Sequence, residues 1–227
     1  MVCNINFMNI VQQYSVMPRK HVRDKNAKIR LIFETFADLV NRNGYDRLST
    51  RHIAEAAGIS VGTIYHYFPG GKHAIASRYI DRVTDELFDP NIFMGIEEKD
   101  LRWFFDGLIR RYLFVHRESL EIHRAIDQAI LADPDVRRRN REAIVTNMSK
   151  VVAELKDAGL YGSLPERSVL NGFILLFNVL EGIIHRHLFV YSLFEAEEEL
   201  ISFLVNLLEC LTKGGEFFSA MSAGGGI

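Results

Sequence analysis

Two short helical patterns separated by one glycine constrain this sequence more than any other feature. In "LSTRHIAEAAGISVGTIYHYF", Ser49 or Thr50 can cap a first helix and Ser60 can cap a second. Gly58, between them, can adopt the left-handed backbone conformation that ends a helix. Two short helices joined by such a turn predict a helix-turn-helix, the motif whose second helix enters the major groove of DNA.

The rest of the chain also shows helical rather than strand periodicity. Apolar residues from Ile29 to Val40 form one stripe of an amphipathic helix, which Asn43 and Gly44 end. After the helix-turn-helix, the sequence "PGG" interrupts the chain before a fourth helix that begins near Lys72. No segment keeps the alternation of a half-buried strand, so we predict an all-α fold of eight or nine helices.

The breaks in the pattern divide the chain into five segments. We predict a disordered leader, a helix-turn-helix domain, a connecting helix, a larger helical body that opens on the hinge "NIFMGIEEKD", and a flexible tail. Their bounds are 1–18, 19–71, 72–88, 89–213 and 214–227, respectively.

Charge is distributed unevenly between the helix-turn-helix domain and the body. The whole chain has a net charge of -2, but residues 17–72 hold ten Lys and Arg against five Asp and Glu. This basic head on an acidic body predicts that only the head meets a polyanion. The first basic residues are either an arm on DNA or a solvated segment; they are Arg19, Lys20, Arg23, Lys25 and Lys28.

Other classes of protein find little support in the sequence. Two distant cysteines, Cys3 and Cys210, indicate neither disulfides nor a zinc site and fit a reducing cytoplasm. The most apolar segment, residues 169–190, contains polar and charged residues that are costly in lipid, so we interpret it as a buried helix and expect no membrane partner.

Chemistry at a catalytic or metal site is not indicated either. The chain has no G-x-S-x-G or H-E-x-x-H motif, and no Ser or Cys nucleophile accompanies His123 and Asp127. Glu181 and His185 share a helix face, but His187 projects elsewhere, so three metal ligands do not converge. We therefore predict no enzyme activity, no cofactor and no metal.

The arginines of "VRRRNR" are interpreted as a solvated helix face.

The start of the second short helix carries the residues suited to DNA. Ser60, Gly62 and Thr63 lie where free backbone N–H groups favour phosphate, and Gly62 has no side chain to hold the helix away from DNA. Tyr65 and His66 follow on the outer face, whereas Ile64 and Phe68 are predicted to face inward against Phe33 and Phe36.

The segment "TRHIAEAAGISVGTIYHYF", followed by Lys72, closely resembles the DNA-binding domain of the TetR family of bacterial transcriptional regulators. The resemblance covers about residues 25–76. It implies a homodimer, an effector-binding and dimerisation domain in the body, and repression released when a small molecule moves the DNA-binding heads apart. It also implies double-stranded operator DNA as partner.

The resemblance assigns DNA contacts residue by residue. Thr50 and Arg51 would touch phosphate or an adjacent base. The positions that would face the bases are Val61, Gly62, Thr63 and Tyr65. Tyr67 and Lys72 would hold phosphates, and His66 could serve either role. The loop "PGGK" is one residue longer than the commonest family spacing, which leaves the phosphate partner of Lys72 open.

The body offers candidates for an effector pocket. An apolar or amphiphilic effector, or an organic acid, would suit its aromatic residues as a set, although residues of this kind more often pack in an ordinary core. The candidate pocket residues are Trp103, Phe104, Tyr112, His116, His123, Phe173 and Phe177.

The last two long helices of the body are the predicted dimer interface. Paired with their copies, they would form a four-helix bundle that sets two recognition helices about one DNA turn apart on a near-palindromic operator. The candidate interface residues are Leu170, Ile174, Ile184, Leu204 and Leu208.

Two alternatives for the function stay open. One is a DNA-binding dimer without an effector, which is regulated by a protein partner or acts as an architectural protein; the other is an activator.

Overall fold

The computed structural model describes residues 19–88 and 101–221, with only the backbone for residues 19–24 and Gly214. All regular structure within these ranges is helical, which confirms the all-α prediction. The helices are α1 Arg19–Asn43, α2 Thr50–Ala56, α3 Val61–Tyr67, α4 Lys72–Leu87, α5 Leu101–Glu118, α6 Leu120–Ala132, α7 Pro134–Asp157, α8 Glu166–Phe189, α9 Glu197–Thr212 and α10 Glu216–Ala220. The predicted leader and the predicted hinge "NIFMGIEEKD" lie outside the described residues, and α5 begins directly after the hinge, at Leu101.

Local capping explains the boundaries of the helix-turn-helix. Oγ of Ser49 accepts a hydrogen bond from the backbone N–H of His52 at 3.2 Å, and Oγ of Ser60 accepts one from Thr63 at 3.0 Å. Gly58 has φ of 65°, the left-handed conformation predicted for the turn. These hydrogen bonds satisfy helix-start N–H groups that would otherwise lack partners.

A small apolar core holds α1, α2 and α3 together. Ile53, Ile64 and Phe68 are fully buried, and the rings of Phe33 on α1 and Phe68 meet edge to face with their centroids 5.5 Å apart. The inward orientation predicted for Ile64 and Phe68 is therefore confirmed. This packing leaves the opposite side of α3 to solvent.

The apolar core of the head is continuous with that of the body, and packed helices join the two. α4 packs against α7, α1 packs against α6, and α5 packs against α9. Among the described helices, only α8 has the length and composition of a membrane span, and half of that segment is buried in the protein core. This burial supports the interpretation of α8 as a core helix.

The prediction of a flexible tail is wrong for residues 214–221. Lys213–Gly215 form a 3-10 turn that leads into α10, where Phe218 is fully buried. Phe218 stacks on Phe173 with ring centroids 5.2 Å apart, in a space that Gly172 leaves open. A β-carbon at Gly172 would lie 2.3 Å from the Phe218 ring, so the burial of one aromatic side chain anchors this segment.

Candidate nucleic-acid interface and interior pocket

The outer face of α3 presents polar groups that the fold itself does not need. Tyr65 is 48% exposed, and His66 and Gly62 are also exposed, while Val61 and Tyr67 are partly covered. A β-carbon at Gly62 would have only Ser60 Oγ within 4 Å, at 3.7 Å, so packing does not require glycine there. The missing side chain instead leaves the start of α3 open to a close neighbour.

The hydroxyl groups at this helix start are already oriented. Oγ of Ser60 and Oγ1 of Thr63 are 2.8 Å apart, and Ser60 also caps the helix. The exposed side chains of Arg51 and Glu55 pair at 2.9 Å, an interaction weak enough in water for Arg51 to exchange it for a phosphate.

Thr50 and Lys72 join α2 to α4 instead of projecting freely. The backbone N–H of Lys72 donates to Oγ1 of Thr50 at 3.3 Å, and the Lys72 ammonium donates to the carbonyl of Tyr45 at 3.1 Å. The same ammonium lies 4.2 Å from the centre of the Tyr45 ring. Gly71 fits between them because its φ is 65° and a β-carbon would lie 2.4 Å from Thr50 Oγ1. The lengthened "PGGK" loop is thus held against α2.

Asp133 connects the head to the body. Its carboxylate accepts a hydrogen bond from Tyr45 Oη at 2.7 Å and lies 2.5 Å from His73 Nδ1. It also accepts from the backbone N–H of Asp135 at 2.9 Å, which caps α7. Burial acts to raise the pKa of Asp133, but the hydrogen bonds from Tyr45 and the start of α7 outweigh it, and the pKa lies below its ordinary value.

A second polar link joins α1 to α6. Asn41 Nδ2 donates to the backbone carbonyl of Glu121 at 2.9 Å, and Gln128 Nε2 donates to Asn41 Oδ1 at 3.2 Å. Sequence reasoning missed both links. The pair Asp133-Pro134 signals a helix start, but nothing in its spacing points to Tyr45, 88 residues away.

The described part of the body contains two cavities that bear on function. One, of about 20 Å³, is lined only by apolar side chains, including the predicted Phe104, Phe173 and Phe177. The other, of about 50 Å³, lies between α4, α5, α6, α7 and α8 and has room for a few waters. Its lining includes the predicted Tyr112, His116, His123 and Phe177, together with Tyr79, Asp127, Glu181 and His185. We call this second cavity the histidine cavity.

Trp103 does not belong to either cavity. It is 41% exposed, so its place among the predicted pocket residues is wrong. On α5 the inward positions are Phe104 and Phe105 and, one helical turn later, Leu108, and Trp103 falls beside that stripe.

Hydrogen-bond partners determine the protonation of two histidines in the cavity. Nδ1 of His116 must donate, because its partner at 2.9 Å is the backbone carbonyl of Tyr112. Burial lowers the pKa of His116 to about 2, so its ring is neutral and its Nε2 carries a lone pair that can accept a hydrogen bond. His185 donates to that nitrogen at 3.0 Å and, through Nδ1, to Asp127 at 3.0 Å. Two donated bonds make His185 an imidazolium; Asp127 outweighs the effect of burial and raises the pKa of His185.

His123 differs from its neighbours because one of its nitrogens is unused. Nδ1 lies 3.0 Å from the carbonyl of Ser119 and 3.1 Å from Tyr79 Oη. Nε2 is buried and has no hydrogen-bond partner among the described residues. Burial lowers the pKa of His123 to about 4. Within the described ranges, no group of three or more His, Cys, Asp or Glu is arranged to hold a metal ion.

We expect the stability of the protein to fall as the pH drops below about 6.5, partly through His123. Folding keeps His123 neutral where the unfolded chain binds a proton, so acid favours unfolding in that range. Urea unfolding between pH 8 and 5 should show a pH slope that His123→Phe reduces by up to about 1.4 kcal/mol per pH unit. The raised pKa values of His185 and Glu181 act in the opposite direction. A pH slope in His123→Phe equal to that of the wild-type protein would contradict this account.

The residues predicted for the dimer interface are mostly inside the protomer. Ile174, Ile184, Leu204 and Leu208 are buried in its own core, so the prediction is wrong for these side chains; Leu170 is partly buried. The apolar stripes of α8 and α9 are wide enough to fill the core, and sequence alone did not separate their inner and outer edges. The apolar residues that these two helices leave exposed are Leu175, Val179 and Phe203.

Comparison with known proteins finds similarity in sequence and in fold. Residues 32–78 match the family described as "Bacterial regulatory proteins, tetR family". The chain is 38% identical over 69 residues to the HTH-type transcriptional repressor KstR of Rhodococcus jostii, covering 29% of this chain and 32% of KstR. It is 30% identical over 79 residues to the nucleoid occlusion factor SlmA of Actinobacillus pleuropneumoniae, covering 34% of this chain and 37% of SlmA.

The similarity in fold extends much further along the chain. A TetR-family transcriptional regulator from Syntrophomonas wolfei superposes with a TM-score of 0.69 at 16% identity, covering 84% of this chain and 97% of that one. In contrast, the sequence alignments span only about a third of the length of the curated relatives.

Proposed function

We propose that this chain, whose residues 32–78 match the TetR family of bacterial regulatory proteins, is a homodimeric, sequence-specific transcriptional repressor of the cytoplasm, released from a near-palindromic operator by a small effector. The observation that carries this proposal is the outer face of α3. There an exposed Tyr65 and a Gly62 that packing does not require stand beside the oriented Thr63 hydroxyl. A helix face built in this way suits the edges of bases in a major groove.

The surface of the head supports a division of roles. Thr63 and Tyr65 are assigned to base edges, with Val61 beside them for a thymine methyl group. Ser60, Tyr67 and Arg51 are assigned to phosphates, and His66 to either. Thr50 and Lys72 act first as the junction of α2 with α4, and the Lys72 ammonium, which has three N–H donors, uses one of them on the Tyr45 carbonyl.

For the dimer, we propose that the exposed outer edges of α8 and α9 meet their copies. Phe203→Glu, alone or with Leu175→Glu, should convert the dimer to monomers, because each places a charge in an apolar contact. Analytical ultracentrifugation measures this directly. Leu131→Glu on α6, where the side chain is 78% exposed, is the matched control and should remain dimeric. Dimers of unchanged affinity in Phe203→Glu would exclude this surface.

For the effector, we propose that the histidine cavity receives it. At about 50 Å³ the cavity admits a few waters, so a larger molecule must displace the helices around it. Two of these helices lead directly to the head: α4 begins at Lys72, beside α2, and α7 is capped by Asp133, which contacts Tyr45 and His73. Displacement of α4 and α7 would therefore change the orientation of α3.

A titration tests the proposed function. Fluorescence anisotropy with the DNA upstream of the gene for this protein, beside a scrambled duplex, should show selective binding that weakens steeply with salt. Equal affinity for both duplexes would contradict sequence-specific repression.

The alternative is a DNA-binding dimer governed by a protein partner, and the partial similarity to a nucleoid occlusion factor is the observation that favours it. Under that alternative, ligands of the histidine cavity leave DNA affinity unchanged; an activator would bind selectively but raise transcription.

A further inference from the structure

The unused nitrogen of His123 defines what the histidine cavity can recognise. Buried polar atoms without a partner are rare in folded proteins, and those that exist usually meet a ligand or water. His123 is only 5% exposed, and its Nε2 has no hydrogen-bond partner among the described residues. Since His123 lines the cavity, this nitrogen is available to whatever enters.

The bonding of the ring makes that nitrogen an acceptor. The carbonyl of Ser119 can only accept, so the proton of the neutral ring is on Nδ1 and the lone pair is on Nε2. A partner for Nε2 must therefore donate a hydrogen bond.

The charges around the cavity argue against an anion. The imidazolium of His185 is already bound to Asp127 and donates its other N–H to His116. Glu181 lines the same cavity, where burial raises the pKa of its carboxyl group. A carboxylate or phosphate ligand would meet the carboxylate of Asp127, Glu181 adds no positive charge, and the cation bound to Asp127 has no N–H left to donate. The rest of the lining is largely apolar and includes Ile80, Val83, Leu87, Ile126, Ile144 and Phe177.

We propose that the histidine cavity binds an uncharged molecule with an apolar body and one hydroxyl group, an alcohol or a phenol, which donates its hydrogen bond to Nε2 of His123. This inference rests on the proposed effector site and names the chemical class that the site selects. It replaces the organic acid that the sequence also allowed.

Three small probes of similar shape test the selection. Phenol carries the donor, toluene replaces it with a methyl group, and benzoate replaces it with an anion. Binding is followed at pH 8 on protein labelled with ¹⁵N-histidine. We expect phenol to bind more tightly than toluene by about fivefold to tenfold, the value of one hydrogen bond, and benzoate to bind more weakly than either. Phenol should also shift the His123 Nε2 resonance, which toluene should not do.

A substitution separates the hydrogen bond from the shape of the cavity. His123→Phe keeps a ring of similar size and removes the acceptor, so the preference for phenol over toluene should disappear while toluene still binds. The wild-type comparison does not depend on the folding of this variant. Benzoate binding more tightly than phenol, or phenol binding without any change at His123 Nε2, would overturn the proposal.

The same probes distinguish this inference from the proposed function. Phenol that binds at His123 but does not reduce operator affinity supports the selected ligand class and counts against effector-controlled DNA release. An effector that releases DNA without perturbing His123 supports regulation and overturns the assignment of the class.

Discussion

Replacement of Tyr65 by alanine should reduce operator affinity by about a hundredfold while binding to unrelated DNA stays nearly unchanged. One base contact contributes about 1–3 kcal/mol, and a dimer loses it in both half-sites. Tyr65 is 48% exposed and its neighbour Ile64 carries the packing of α3, so the substitution should not disturb the fold. Anisotropy titrations with operator and scrambled duplexes measure both affinities.

Tyr191→Ala is the matched control for this substitution. Tyr191 is also an exposed tyrosine, at 54%, but it follows α8 in the body, far along the chain from α3. We expect wild-type affinity for both duplexes in this variant. Equal losses in Tyr65→Ala and Tyr191→Ala, or a loss in Tyr65→Ala that is the same for operator and scrambled DNA, would remove Tyr65 from base recognition.

Replacement of Asp133 by alanine should lower the free energy of unfolding by about 3 kcal/mol. The change removes the cap of α7, typically worth about 1 kcal/mol, and leaves the buried Tyr45 hydroxyl without its acceptor, at about 1–3 kcal/mol. For a chain of this size the melting temperature should fall by about 6–12 °C. Thermal and urea unfolding measure the loss.

Asp135→Ala provides the control at a neighbouring position. Asp135 is exposed, and its ion pair with Arg138 at 3.0 Å is of the kind that contributes little in water. We expect less than about 0.5 kcal/mol of change there. If Asp133→Ala were as stable as Asp135→Ala, the carboxylate would not be a structural link between head and body. Tyr45→Phe should also lower the free energy of unfolding, but by less than Asp133→Ala does, because it removes only the hydroxyl group.

The head was largely predictable from the sequence because its signals are local. Ser49 and Ser60 as caps, Gly58 as the stop and the inward pair Ile64 and Phe68 follow from helix geometry over a few residues. Each of them agrees with the structure. The roles of Tyr65 and its neighbours on DNA remain predictions.

The arrangement of the body was less predictable because it depends on contacts between distant residues. Apolar periodicity identifies α8 and α9, but it does not say which edge of a wide stripe faces the core; Ile184 and Leu204 were assigned to the wrong side. For the same reason, the prediction that Trp103 lines the pocket was wrong, since the periodicity of α5 did not show on which face Trp103 lies. The Asp133–Tyr45 link and the approach of His185 to His116 depend on how helices pack, since 88 and 69 residues separate the partners.

The most direct test of sequence-specific repression is a selection of DNA from a randomised duplex library by the purified wild-type protein, with Tyr65→Ala in parallel. We expect the wild-type protein to enrich a near-palindromic sequence whose half-sites are about one helical turn apart, and Tyr65→Ala to lose that enrichment. Recovery of all library sequences at equal frequency by the wild-type protein would contradict the claim that α3 reads bases.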